Sequence, residues 1–292
     1  MIETVALCIV LGLSLLVVAR VVGKIVSHPD GWRPGLLTFG LRAYCAIFFR
    51  VKVRHVSTVP GEGAALVVAN HRSPVDPLLM HAAASFQPDG SRQRIVEWLT
   101  AKEYCSLPGP IGWITRVARS IPVDREGNDM ASVKEAMRRL KEGRIVGIFP
   151  EGRINTGEGL LPFNPGLAFL ATRGGVPVIP AYIDEAPGGA DLNGMVQPFL
   201  TRTTAHVRFG PPLDYSHLKR PTAQQREQIT CEIREAIIAL MPPDKQLLAR
   251  RRDLIEQAVA KRRLRAKERA QVASRLPVAE ANGHAADLVV SP

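Results

Sequence analysis

Between residues 51 and 241, short apolar segments of strand length alternate with segments of helical periodicity. The strand-like segments are 51–56, 66–69, 94–101, 120–123, 144–149, 176–183 and 205–209. The helix-like segments are 78–85, 111–119, 129–141, 165–172 and 222–240. Strands that alternate with helices favour an α/β fold, because the helices pack on the sheet while they carry the chain to the next strand. The pattern therefore predicts a mixed, largely parallel sheet flanked by helices.

Residues 4–19 form an unbroken run of apolar and weakly polar residues, followed by Arg20. About 20 apolar residues cross a bilayer, so this run is long enough if Arg20 extends its guanidinium to the headgroups. A cleaved signal peptide is the alternative, but Glu3 stands near the N-terminus and no small-X-small cleavage site follows. We therefore expect a membrane anchor, and Lys24 and Arg33 beyond it place the rest of the chain in the cytoplasm.

A second apolar segment, residues 36–49, has helical spacing but is too short to span a bilayer. It suits a helix that lies in the membrane interface, and it equally suits a helix that packs on the core. We assign residues 1–50 to this N-terminal membrane-associated unit and residues 51–241 to the α/β domain.

The C-terminal unit, residues 242–292, begins at Pro242-Pro243 and carries a large part of the net charge of +11. From residue 245 onward there are eleven Lys or Arg against five Asp or Glu. The run is predicted to form a basic helix up to residue 276 and then a disordered tail. A solvated charged helix and a contact with an anionic membrane surface both fit this run. The charge alone also fits nucleic acid, another polyanion.

Several sequence features restrict the chemistry. The four cysteines are far apart and lack metal-ligand spacing, which is typical of reduced thiols facing the cytosol. The sequence has no Gly-X-Ser-X-Gly motif, no phosphate-binding P-loop and no complete dinucleotide fingerprint. These absences favour a mechanism without a serine nucleophile or a nucleotide cofactor.

The stretch 66–77 joins a buried strand to a polar loop and then to a helix start. His71 lies in the loop that leaves the strand, where α/β sheets usually place their chemistry. Asp76, followed by Pro77, is predicted to cap the helix. The Asp76 carboxylate could also bind one nitrogen of the His71 ring and leave the other nitrogen as a base. A surface histidine beside a capping aspartate is the alternative, and a metal site is weakly supported because no third ligand is evident.

Two downstream stretches also place polar groups at strand ends, and a third, 176–180, is a strand with prolines at both ends. Arg125 follows the strand-like segment 120–123, and its guanidinium could hold a phosphate with two hydrogen bonds. Glu151, Gly152 and Arg153 follow the buried segment 144–149, and the glycine permits close approach of a ligand to the backbone. Each stretch could also be a structural turn.

In order, the sequence His71-X4-Asp76, Arg125, Phe149-Pro150-Glu151-Gly152 and Val176-Pro177-Val178-Ile179-Pro180 resembles the four motifs of the glycerolipid acyltransferases. This is the PlsC-type, or 1-acylglycerol-3-phosphate acyltransferase, family. The similarity covers about residues 50–215, and Phe163-Asn164-Pro165-Gly166 also resembles a family segment. Two positions depart from the pattern: Arg153 stands where the family usually has threonine, and Arg119-Ser120 stand where it usually has glycine.

The resemblance implies transfer of a fatty acyl group from acyl-CoA or acyl-carrier protein to the hydroxyl of a lysophospholipid, without an acyl-enzyme. His71 would be the general base and Asp76 its support, while Arg125, Glu151, Gly152 and Arg153 would shape the glycerol-phosphate site. No cofactor, metal or nucleic acid is expected, and the expected partners are a membrane lipid, an acyl thioester and an anionic membrane surface.

Two alternatives remain open from the sequence. The acceptor could be glycerol-3-phosphate or another lysophospholipid. In a different class, the protein could be a membrane-tethered scaffold that acts through its basic C-terminal tail.

Overall fold

A sheet of seven strands forms the centre of the fold in a computed structural model of the chain. The structure describes residues 1–54, 58–84, 94–124, 129–187, 197–218 and 220–273. The strands are β1 (Lys52–Arg54), β2 (Ala65–Ala69), β3 (Val96–Ala101), β4 (Ile121–Val123), β5 (Ile145–Ile148), β6 (Val178–Asp184) and β7 (His206–Phe209). The helices are α1 (Ile2–Val26), α2 (Trp32–Phe48), α3 (Asp76–Ala84), α4 (Lys102–Cys105), α5 (Gly109–Val117), α6 (Met130–Lys141), α7 (Gly166–Arg173), α8 (Ala223–Ala239) and α9 (Pro243–Ala273).

The strands lie in the spatial order β1-β7-β6-β2-β5-β3-β4. Neighbouring strands are parallel, except that β6 and β7 are antiparallel. The edge pair β1 and β7 therefore runs opposite to the other five strands. This arrangement confirms the predicted mixed, largely parallel sheet.

The sheet separates two apolar cores because successive strand residues point to opposite faces. On one face, Val67 and Trp98 pack with residues of α2 and α3, such as Leu79. On the other face, Leu66 and Val68 pack with α6, α7 and α8. Helices on both faces explain why β2, the central strand, is buried at all five positions and consists of apolar residues.

The N-terminal helices differ in how they meet the domain. α1 has no buried residue and is, among the described residues, the one helix long and apolar enough to cross a membrane. α2 buries Leu37, Leu41 and Cys45 against the domain, whereas an apolar stripe on its other side is exposed. The large side chains of that stripe are Trp32, Leu36, Phe39 and Ile47. α2 is thus a core-packing helix on one side, and its location in the membrane interface stays a prediction.

The start of α9 packs on the α/β domain. Ala249 is fully buried in the same core as α8, and the Lys245 ammonium lies 2.5 Å from an oxygen of Asp184 at the end of β6. Arg252 donates a hydrogen bond to the Glu158 carbonyl, 2.6 Å away. The division of the chain into three units at residues 50/51 and 241/242 stays a prediction. The predicted disordered tail after residue 276 lies outside the described residues.

Candidate active site

The candidate site lies where the adjacent parallel strands β2 and β5 end. His71 follows β2 by two residues and Glu151 follows β5 by three. Because the carboxyl ends of parallel strands meet at one edge of a sheet, the two loops touch there. The His71 backbone N–H donates to Glu151 Oε1 over 3.1 Å, and the Asn155 N–H donates to the His71 carbonyl over 2.8 Å.

The His71 ring is hydrogen-bonded to a buried carboxylate. Nδ1 lies 2.9 Å from Asp76 Oδ2, and the side chains are 18% and 0% exposed, respectively. Because a carboxylate accepts hydrogen bonds, Nδ1 is the donor in this contact, and in the neutral ring Nε2 then presents its lone pair. This is the tautomer that a general base requires.

The Asp76 carboxylate faces the loop rather than the helix that it begins. Besides the His71 ring, Oδ2 accepts the backbone N–H groups of Arg72 (2.5 Å) and Ser73 (2.8 Å). Leu78 and Leu79 donate their N–H groups to the Val75 carbonyl instead. The expectation that Asp76 caps α3 is therefore wrong: its carboxylate ties the His71 loop into a tight turn and orients the ring.

An aromatic stack packs against one face of the His71 ring. The Phe149 ring lies parallel to the His71 ring, with centroids 4.3 Å apart and an interplanar angle of 14°. The Trp98 indole stacks on Phe149 in turn, at 4.3 Å and 9°. Trp98 is opposite Gly147 in the β3–β5 pair, and a Cβ at Gly147 would lie 2.6 Å from the indole. The glycine leaves the space that the stack occupies.

Glu151 joins two loops. Its Oε1 accepts the His71 N–H, and its Oε2 accepts the Leu161 N–H over 3.0 Å. Burial raises the pKa of this carboxyl, while the two backbone donors act in the opposite direction. The described contacts make Glu151 a support for the His71 loop, and a direct contact with the acceptor stays a prediction.

The structure describes two of the residues predicted near the phosphate, Gly152 and Arg153, and does not describe the third, Arg125. Gly152 adopts φ +69°, a left-handed conformation that favours glycine, and turns the chain toward Arg153. Arg153 is exposed, and its guanidinium takes part in no hydrogen bond or ion pair among the described residues. Arg125 lies outside the described residues. The structure thus brings His71, Asp76 and Glu151 into contact and leaves the arginines as predictions.

Asn70 belongs to the site, although sequence reasoning did not single it out. Its side-chain Nδ2 donates to the Ile183 carbonyl (3.0 Å), and its Oδ1 accepts the Ile183 N–H (2.7 Å). The amide thereby continues the β2–β6 hydrogen bonding by one residue and fixes the backbone just before His71. The sequence feature that could have revealed Asn70 is a polar residue directly after an apolar strand.

The departure from the family pattern at Arg119 has a structural explanation. Arg119 adopts φ +54°, where glycine is favoured, so the family's usual glycine suits the turn. In this chain the guanidinium instead binds Asp30, in the segment between α1 and α2, with Nη1 3.0 Å from Oδ1. The contact ties the N-terminal helices to the strand β4.

Comparison with known proteins agrees with this geometry. Residues 50–184 match the family model described as Acyltransferase. The chain is 27% identical over 190 residues to a Bacillus subtilis protein named 1-acyl-sn-glycerol-3-phosphate acyltransferase, covering 63% of this chain and 87% of the relative. An Escherichia coli protein of the same name is 26% identical over 217 residues, covering 73% and 78%.

A solved structure shares the fold. The 1-acyl-sn-glycerophosphate acyltransferase PlsC from Thermotoga maritima superposes with a TM-score of 0.53 at 21% identity, covering 82% of this chain and 98% of that one. The solved structure shows that the fold is shared, and the family match over residues 50–184 together with the two named relatives identifies this part of the chain as a PlsC-like acyltransferase domain.

Proposed function

We propose that the protein transfers a fatty acyl group from acyl-CoA or acyl-carrier protein to the free hydroxyl of 1-acylglycerol-3-phosphate, giving phosphatidic acid. The observation that carries this proposal is the His71–Asp76 pair at the carboxyl edge of the sheet, in which Nδ1 lies 2.9 Å from Asp76 Oδ2. The names of the Bacillus subtilis and Escherichia coli relatives support the choice of acceptor.

The reaction follows from the properties of the pair. His71 Nε2 removes the hydroxyl proton as the oxygen attacks the carbonyl carbon of the thioester. Asp76 stabilises the imidazolium that forms and keeps the ring oriented. The carbon–sulfur bond then breaks, and the imidazolium returns its proton to the departing sulfur. The products are an ester and a free thiol, and no acyl-enzyme is needed because a thioester is already activated.

The glycerol-phosphate end of the acceptor requires cations near the base. Arg153 is exposed directly after the Glu151-Gly152 turn, where its guanidinium is available for two hydrogen bonds to phosphate. We propose Arg153 and Arg125 as the phosphate ligands. Acyl transfer to a panel of acceptors with a constant acyl donor tests the acceptor, and a preference for glycerol-3-phosphate or a larger lysophospholipid would overturn it.

We further propose that α1 anchors the enzyme in the membrane with the catalytic domain on the cytoplasmic side. Its support is the exposed apolar surface of α1 and the basic residues Arg20 and Lys24 near its C-terminal end. The exposed thiol of Cys231 in α8 provides the test. A membrane-impermeant maleimide should label Cys231 in sealed inverted vesicles; labelling in sealed right-side-out vesicles instead would contradict the orientation.

The decisive experiment on the chemistry replaces the base. His71→Ala should lower the rate of acyl transfer by ~10²–10⁴-fold, because the hydroxyl then lacks a positioned proton acceptor. The control is His217→Ala, since His217 is exposed and distant in sequence from every proposed site residue. The rates are compared between purified variants that have the same thermal unfolding midpoint. Activity of His71→Ala close to that of the control would overturn the assignment of the base.

A further inference from the structure

A groove of about 430 Å³ lies where α1 is joined to α2 and α5. Its lining includes Asp30, Trp32, Arg33, Trp113, Arg116 and Arg119. The groove is at the amino-terminal edge of the sheet, because Asp30 Oδ2 accepts the N–H of Ile95, directly before β3. His71 lies at the opposite edge, so the groove is separate from the candidate active site.

The charges that line the groove leave a positive excess. Both carboxylate oxygens of Asp30 have partners: Oδ1 accepts from Arg119 Nη1 and Oδ2 from the Ile95 N–H. Arg33 and Arg116 are exposed, and neither forms an ion pair within the part of the chain that the structure describes. Two guanidinium groups are thus available to an anion.

The N-terminus of α2 opens into the same groove. No side chain caps it, no acidic residue occupies its first turn, and Gly31 precedes it. Among the described residues, the backbone N–H groups of Trp32 and Arg33 have no acceptor. Unsatisfied N–H groups and the helix dipole favour a bound anion, and here they coincide with the two arginines.

The groove also has an apolar component that suits a lipid. The indoles of Trp32 and Trp113 are 56% and 39% exposed. α1 ends at Val26, six residues before Trp32. If α1 crosses a bilayer, this position is close to the headgroups, where tryptophan and arginine are favoured.

From these contacts we propose that the groove binds the phosphate group of an anionic membrane phospholipid. Arg33, Arg116 and the N-terminus of α2 hold the phosphate, while Trp32 and Trp113 pack against the glycerol and the first part of the acyl chains. This assigns to the protein a lipid site that is distinct from the acceptor site.

The test measures binding to the full-length protein in neutral detergent. The probe is short-chain phosphatidylmethanol, an anionic phosphodiester without a free hydroxyl that could accept an acyl group. Short-chain phosphatidylcholine and inorganic phosphate are titrated in parallel, with calorimetry as the readout. The double variant Arg33→Gln/Arg116→Gln is compared with Lys134→Gln/Lys141→Gln, which removes the same charge from exposed positions of α6.

We expect phosphatidylmethanol to bind more tightly than phosphatidylcholine, and the arginine variant to weaken it by about tenfold per arginine. Arg33→Lys/Arg116→Lys should show a smaller loss, which keeps the test valid if the glutamine variant does not fold. Equal losses in the lysine control variant, equal binding of phosphatidylcholine, or inorganic phosphate binding as tightly as the lipid would each overturn the proposal.

Discussion

His71 is constrained from three directions. Asp76 holds Nδ1, Phe149 covers one ring face, and Glu151 holds the backbone N–H. The first contact could be predicted from the sequence, because His71 and Asp76 are five residues apart on either side of a helix start. The stack of Phe149 and Trp98 against His71 could not be predicted, since Trp98 reaches the site only through the pairing of β3 with β5.

The stack leads to a prediction about Trp98, which is not expected to touch substrate. Trp98→Leu keeps an apolar side chain but removes the ring that supports Phe149. We expect kcat to fall about two- to tenfold, because this is the change in rate that corresponds to the free energy of one aromatic pair. KM should change little. Steady-state kinetics at fixed acyl donor concentration provides the measurement.

The control for this prediction is Trp98→Phe, which retains an aromatic ring above Gly147. It should recover most of the lost kcat. If leucine and phenylalanine reduce kcat equally, the stack has no role in positioning His71.

At the scale of elements, the loop from Glu151 to Phe163 is held by three arginines from different parts of the fold. Arg72 binds the Gly157 carbonyl, Arg252 the Glu158 carbonyl, and Arg234 the Leu160 carbonyl. Arg234 also pairs with Asp253 of α9. The sequence predicted α9 as a basic helix, but charge and periodicity alone did not reveal that its first turns fix a loop of the candidate site.

This packing predicts unequal effects of two substitutions on α9. Ala249 is fully buried near Gly159, whereas Leu247 is 71% exposed. Ala249→Asp should lower the free energy of unfolding by more than about 2 kcal/mol, because it buries a charge without a partner. Leu247→Asp should have little effect. Similar thermal unfolding midpoints for the two variants would show that α9 does not pack as described.

The contact between α2 and α3 predicts a dependence of stability on pH. His81 is 4% exposed, and its Nε2 lies 2.8 Å from Thr38 Oγ1. Burial lowers the pKa of His81 to about 4; His28 adds to this shift, and Asp30 acts against it. The unfolded chain takes up this proton near pH 6.5, so the folded state loses stability as the pH falls from about 6.5 to 4.

The loss attributable to His81 should be on the order of 3 kcal/mol across that window and absent above it. His81→Gln should flatten the curve of unfolding midpoint against pH, whereas His217→Gln, at an exposed position, should not. A pH dependence that is unchanged in His81→Gln would contradict the buried neutral state of this ring.

At the scale of the whole molecule, the α/β class and most elements could be predicted because hydrophobic periodicity is local. The order of the strands could not, because it depends on contacts between distant residues. β1 is the first strand in the chain, yet it lies at the sheet edge beside β7, the last one. The motifs at strand ends could be grouped only because their order resembled a known family.

The pairing of Lys52 with His206 has a consequence for the time course of synthesis. Among the strands that the structure describes, β7 is the one neighbour of β1, so β1 stays unpaired until the ribosome has made β7, about 150 residues later. Residues 1–26 leave the ribosome long before that, and contacts between residues so distant in sequence form slowly. If α1 enters the membrane as proposed, the nascent chain is held at its N-terminus while β1 is still unpaired. A pause or truncation before residue 206 then leaves the edge of β1 open to pairing with another chain.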